Sequence, residues 1–463
     1  MKTHPFVAPR LASAGLVALG LLAGGIPGPS TVAAAGSWST GKLSETRSAM
    51  AVAVVGSKAL FAGGYPGGFE RSAAVDVYDA STGRWTTAKL SAARTNVQAA
   101  TVGRKALFIG GSADRYGNTG SDMVDTYDDV TGQWSTAQLP GLHQPSDMAG
   151  ARVAVVGAKV LVAGRGVVDV YDDATHQWST MTDTPVTDVP DAVAQVGTKV
   201  LLTMGGAVAI YDDATGQWST ASLAQDRRSP TAVTVGNTVM FIGGEVFVSY
   251  TQQVQDPTVD IYDDTTSEWS SAQLSVGRRY PDVVSAGGRV LVAGGAWNSG
   301  DTPDAVVDVY DVGTRQWSTA SLSAARQFRP PAISLGNQAV FAGGRTIDGA
   351  DSDVVDIYDG TTQQWSTAHL SQARAMATVA RIGTTALIAG GEGSGSSASD
   401  AIDIYDARTG AWSTGQLSAA RTGMQVATVA GKVIFAGGGC HAGASACTLA
   451  VDVYDAGLRR DAS

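Results

Sequence analysis

The sequence predicts an all-β protein, a closed β-propeller of nine four-stranded units. Three observations predict it. An aromatic pattern returns every 40 to 51 residues along the chain, each return holds four short β-prone runs divided by turn signals, and the two chain ends carry incomplete units that complement each other.

The aromatic pattern is the firmest of these. Tryptophan recurs as Trp38, Trp85, Trp134, Trp178, Trp218, Trp269, Trp317, Trp365 and Trp412, and each one from Trp85 to Trp412 is preceded by a tyrosine seven residues earlier, Tyr78 to Tyr405. The turn between the two therefore has one fixed length. Within a unit, Met50 to Val55 reads as a first strand and Ala59 to Ala62, ending in Gly63-Gly64, as a second. Val75 to Tyr78 is a third, with β-branched residues at alternate positions, and Trp85 to Leu90 a fourth. The loop Asp79-Ala80-Ser81-Thr82-Gly83 places a glycine where a tight hairpin needs a left-handed residue. Second strands such as Val160-Leu161-Val162-Ala163 are apolar at successive positions, so both faces must be covered, and stacking sheets face to face around an axis does this.

The ends fix the topology. Trp38 to Leu43 is a fourth strand without a predecessor and Val451 to Asp455 a third strand without a successor, so together they complete one unit and close a ring of nine. A ring of seven or eight with an additional partial sheet is the alternative. The glycine pair closing strand two, the Tyr in strand three and the Trp seven residues on resemble the kelch motif over residues 36 to 455, with Gly164-Arg165-Gly166 and Ala209 as departures in units three and four. The resemblance implies a kelch-type propeller whose first and last strands share a blade.

Residues 1 to 35 read as a signal peptide. Lys2 and Arg10 precede or begin a near-uniform apolar run, Leu11 to Ile26, followed by Pro27, Pro29 and the small-residue stretch Ala33-Ala34-Ala35. An uncleaved anchor helix is the alternative, although the run is shorter than a span requires. Cleavage before Gly36 gives a secreted propeller of residues 36 to 455 and a tail of 456 to 463, with no transmembrane span. Loss of Lys2 and Arg10 moves the net charge from −10 to −12. So acidic a chain lacks the clustered cations that nucleic-acid phosphates demand. The only cysteines, Cys440 and Cys447, are expected to form a disulfide in an oxidising compartment.

Candidate functional residues fall into three groups. The repeat tryptophans and the Asp pairs after each Tyr, such as Asp172-Asp173, read as packing and turn-capping residues. The copper chemistry that kelch resemblance brings with galactose oxidase calls for two histidines, a tyrosine and a Tyr–Cys crosslink. The mature chain offers only His143, His176, His369 and His441, dispersed over distant units, so no metal or other cofactor is expected. The third group is a rim. Arg47, Arg94, Arg227, Arg278, Arg326, Arg374 and Arg421 stand before strand one in seven of the nine units, while units three and four lack the arginine and have almost no loop between strands two and three. Either these arginines satisfy carbonyls and aspartates within the fold, or they form a lopsided ligand-binding rim, with Tyr250 and Trp297 as its apolar side. The expectation is a monomeric extracellular module that binds a protein or glycan without catalysis. The alternative is a carbohydrate-active enzyme of the sialic-acid mutarotase or galactose oxidase kind.

Overall fold

The computed structural model describes residues 36–457, apart from 68–69, 114–119, 142–149, 250–251, 296–304, 327–330, 347, 394, 396 and 440–447. Nine four-stranded antiparallel sheets follow one another, and we number them as blades 1 to 9 in chain order. Blade 1 consists of Ala51–Val55, Lys58–Ala62, Ala74–Asp79 and Arg84–Lys89, its first to fourth strands. Blade 9 takes its first three strands from the C-terminal end, Gln425–Val429, Lys432–Ala436 and Ala450–Asp455. Its fourth is the N-terminal strand Ser37–Lys42, paired antiparallel with Ala450–Asp455 so that Trp38 faces Tyr454. Among the described residues, two blades carry an additional hairpin between strands two and three: Glu245–Ser249 with Gln252–Gln255 in blade 5, and Glu392–Gly393 with Ser397–Ala398 in blade 8.

The local sequence explains these strands. Tyr and Trp seven residues apart across the tight turn become direct cross-strand partners in eight blades, as Tyr78 with Trp85, and with Trp38–Tyr454 of blade 9 all nine pairs have ring centroids 4.8 to 5.4 Å apart. The turn residue before strand four sits at positive φ, 69° at Gly83, and the same position accepts His176 at 59°.

No blade has a core of its own. The buried apolar residues form nine clusters among the described residues, and each cluster joins two adjacent blades. The cluster between blades 9 and 1 unites Leu43, Phe61 and Tyr78 with Ile434 and Val451. Second strands such as Lys58–Ala62 are buried at four successive positions because their two faces serve two different interfaces. First strands touch the first strands of both neighbours round the whole ring, so they form its inner layer, and the polar fourth strands form the outer one. The rim where loops lead into first strands also carries the loops joining strands two and three; the opposite rim carries the strand 1–2 and 3–4 turns.

Candidate functional site

The seven rim arginines do not face outward. Arg47, Arg94, Arg227, Arg278, Arg326, Arg374 and Arg421 are 0 or 1% exposed, the largest fully buried side chains among the described residues. Each folds back into its own blade and forms an ion pair with a buried aspartate of strand three: Asp76, Asp125, Asp260, Asp308, Asp356, Asp403 and Asp452. Nη groups of these arginines also donate to carbonyls at the strand ends, as Arg94 Nη1 does to Gly110 O at 2.6 Å and Met123 O at 2.7 Å. Burial pushes the Arg47, Arg94, Arg326 and Arg421 guanidinium groups below their usual value, and the facing carboxylate pulls the other way. The expectation that this ring contacts a ligand is therefore corrected: the counter-charges come from within the fold. The planar guanidinium fork explains why arginine, and not lysine, occupies the position.

The main chain of the same residue reaches the other way. The carbonyl oxygens of Arg47, Arg94, Arg278, Arg374 and Arg421 each accept an N–H from the second glycine of the preceding blade's pair, as Gly64 N–H donates to Arg94 O at 3.0 Å. A Cβ at Gly63 would stand 2.7 Å from that oxygen, which is why the pair is glycine. Side chain in one blade, main chain in its neighbour: each of these five arginines clamps an interface. Blades 3 and 4 lack the rim arginine. Blade 4 has lost Arg and Asp together, with buried Ala209 at the Asp position, and Asp169 of blade 3 instead accepts the Gly141 N–H at 2.9 Å and the Thr180 hydroxyl at 2.6 Å.

The opposite rim supplies a second tie. Lysines opening second strands reach into the next blade, Lys58 to Asp129, Lys105 to Asp173, Lys159 to Asp213 and Lys199 to Asp264, at 2.6 to 2.8 Å. They include ties across the 2–3 and 3–4 interfaces, where the following blade has no rim arginine. Hydrogen bonding to Asp264 pushes Lys199 up to about 12. The Asp pairs thus divide their work. The first caps the turn, as Asp172 Oδ1 accepts the Ala174 N–H at 2.8 Å, and the second takes the lysine. The turn reading holds for one member of each pair only.

What the clamps expose is the residue two positions after each arginine. Ala49, Asn96, Ser229, Tyr280, Met376 and Gly423 all have φ between 49° and 61°, and all stand exposed or half-exposed at the mouth of the ring. Met376 is 47% exposed, and the Arg279 guanidinium lies 5.0 Å from the centre of the Tyr280 ring. The seventh equivalent, Phe328, lies outside the described residues, as do Tyr250, Trp297, Cys440, Cys447, His143 and His441. Beside this mouth, between clampless blade 3 and blade 2, a cleft of about 480 Å³ is lined by Asn96, Gln98, Gly110, Gly111, Gly150 and the exposed Arg152. Sequence reading looked at the repeated arginine and missed these positions. Their signal in the sequence is no more than a fixed offset of two residues from the repeated arginine.

No family model matches the chain, and no curated protein matches it. A solved structure described as "Structure of YjhT" is similar over 81% of this chain and 99% of that one, at 15% identity and a TM-score of 0.38.

Proposed function

We propose that the chain is a secreted kelch-type propeller acting as a non-catalytic binding module, with an extracellular protein or glycan seated at the mouth formed by the loops leading into the first strands. One observation carries this reading. A side chain held at positive φ costs roughly 1 to 2 kcal/mol, and glycine would relieve it. Yet Ser229, Tyr280 and Met376 keep side chains there, at equivalent positions beside Asn96, a residue that tolerates this region, and they differ in chemistry while the arginines beneath them repeat. Strain retained at equivalent exposed positions fits a surface selected for what it displays.

The test uses residues 36–457 on protein and glycan arrays, followed by a triple variant, Asn96→Gly, Tyr280→Gly and Met376→Gly. Because glycine suits the backbone, the variant should melt at or above the parent temperature while losing its array ligand by about tenfold or more, near 1.4 kcal/mol. No captured ligand, undiminished binding by the variant, or turnover of a glycan panel by the parent would overturn the reading. Secretion also carries a Cys440–Cys447 disulfide with it, checked by counting thiols in denatured, unreduced protein.

A further inference from the structure

On the rim opposite the mouth, a second kind of site repeats. Three clefts of similar size open there between adjacent blades: about 450 Å³ between blades 1 and 2, 380 Å³ between 4 and 5, and 400 Å³ between 5 and 6. Their linings are equivalent by position. Each has the residue that opens strand two (Lys58, Lys199, Thr238), the turn-capping aspartate (Asp79, Asp212, Asp263), the following blade's Tyr and at least one repeat Trp.

The chemistry of the cleft between blades 4 and 5 is the clearest. Trp218 and Trp269 are half-buried, so packing in the interface clusters leaves part of each indole facing the cleft. Thr215, Gln217, Ser219 and Thr220 add exposed hydroxyl and amide groups along one wall. Lys199 Nζ lies 3.1 Å from the Tyr262 hydroxyl and 2.6 Å from Asp264 at the floor. None of the nine repeat tryptophans donates its indole N–H to an acceptor among the described residues, the cleft-lining Trp134, Trp218 and Trp269 included. A flat apolar face with an unused N–H donor, edged by hydroxyl, amide and carboxylate groups, matches a sugar ring, which presents an apolar C–H face bordered by hydroxyls.

We infer that these inter-blade clefts bind saccharide rings, and that the propeller engages glycans multivalently through the face opposite its mouth. The fourth strands repeat the pattern Trp, hydroxyl residue, hydroxyl residue, from Trp38-Ser39-Thr40 to Trp412-Ser413-Thr414, so the same wall stands in all nine blades. Weak single sites distributed round a rigid ring gain avidity on a branched or surface-borne glycan. The inference is independent of the mouth proposal, because the two sites share no residue.

The experiment titrates the mature protein with methyl glycosides of glucose, galactose, mannose and N-acetylglucosamine, read by tryptophan fluorescence and by saturation-transfer NMR, with crystal soaks of the best responder. Expected are more than one bound ring per chain and densities over indole faces in the clefts. Thr82→Trp with Thr215→Trp fills two clefts from exposed turns without touching the core and should lower the stoichiometry at unchanged melting temperature. Trp218→Phe, which keeps most of the packing but removes the N–H, should weaken its own cleft by about tenfold. The glycine triple variant of the mouth should leave the glycoside response intact. No response to any glycoside, a stoichiometry of one, a response unaffected by the filled clefts, or one abolished by the mouth variant would each overturn the inference.

Discussion

Replacing Arg374 with alanine tests whether the rim arginines are clamps. Its Nη2 donates to Asp403 at 2.6 Å and to Ile388 O at 2.9 Å, and its Nη1 to Gln372 O at 3.2 Å. Asp403 is 2% exposed, and after the substitution it keeps the Ser371 N–H at 2.8 Å but loses its only counter-charge among the described residues. Breaking a buried pair from one side costs about 3 to 5 kcal/mol, mostly the stranded charge. The main-chain bonds of residue 374 to Gly344 and Ser352 remain available to alanine, so the loss belongs to the side chain. With an unfolding entropy of about 0.9 kcal/mol per kelvin for a chain this long, the melting temperature should fall by roughly 4 °C if the ring unfolds as a unit. Calorimetry on Arg374→Ala, Asp403→Ala and the double variant supplies the cycle. The double variant should recover about 1 to 3 kcal/mol relative to the sum of the singles. Arg408→Ala, which removes an exposed ion pair at 3.6 Å, should stay within about 0.5 kcal/mol of the parent. An Arg374→Ala protein melting within a degree of the parent, or additive singles, would refute the clamp.

Three further outcomes follow from the geometry. Deleting residues 36–43 removes the strand paired with Ala450–Asp455 and the buried Leu43, so the truncated protein should self-associate through the bare edge, seen as higher-mass species in size-exclusion chromatography. Gly391→Ala places a Cβ 2.5 Å from Ala375 O at φ +101° and should cost roughly 2 to 4 kcal/mol in denaturant unfolding, whereas Gly410→Ala, with nothing within 4 Å, should cost about 1 kcal/mol. Lys199 titrates at about 12 when folded against 10.5 for the free side chain, so its tie to Asp264 contributes fully below pH 10.5 and is lost as pH rises through 12. With the side chain 20% exposed, Lys199→Met should lose about 0.5 to 1 kcal/mol near neutral pH, and thermal unfolding of the two proteins should converge in strong alkali.

The sequence by itself determined the architecture, because propeller stability is nearly local. A Tyr and a Trp seven residues apart can only face each other across a tight turn, a doubly apolar second strand can only lie between two sheets, and the lone fourth strand at Trp38 has one orphan third strand, Val451 to Asp455, to join. It also showed that seven arginines occupy one position, but not which way they point. That was decided by the tertiary structure, since an arginine before strand one reaches either the solvent or the carbonyl ends and aspartate of its own strand three, and the choice depends on the preceding blade closing over it. The Gly pair closing strand two is the seat of that neighbour's carbonyl, a partner no single repeat contains. Likewise the second Asp of each pair could be seen as a turn residue, but its partner, Lys58 for Asp129 or Lys159 for Asp213, lies 54 to 71 residues away in sequence and is brought within reach only by stacking blade on blade. The mouth positions Asn96, Ser229, Tyr280 and Met376 became visible for the same reason: their positive φ and shared exposure are properties of a clamped loop at a blade interface, and an interface has no existence in a single repeat.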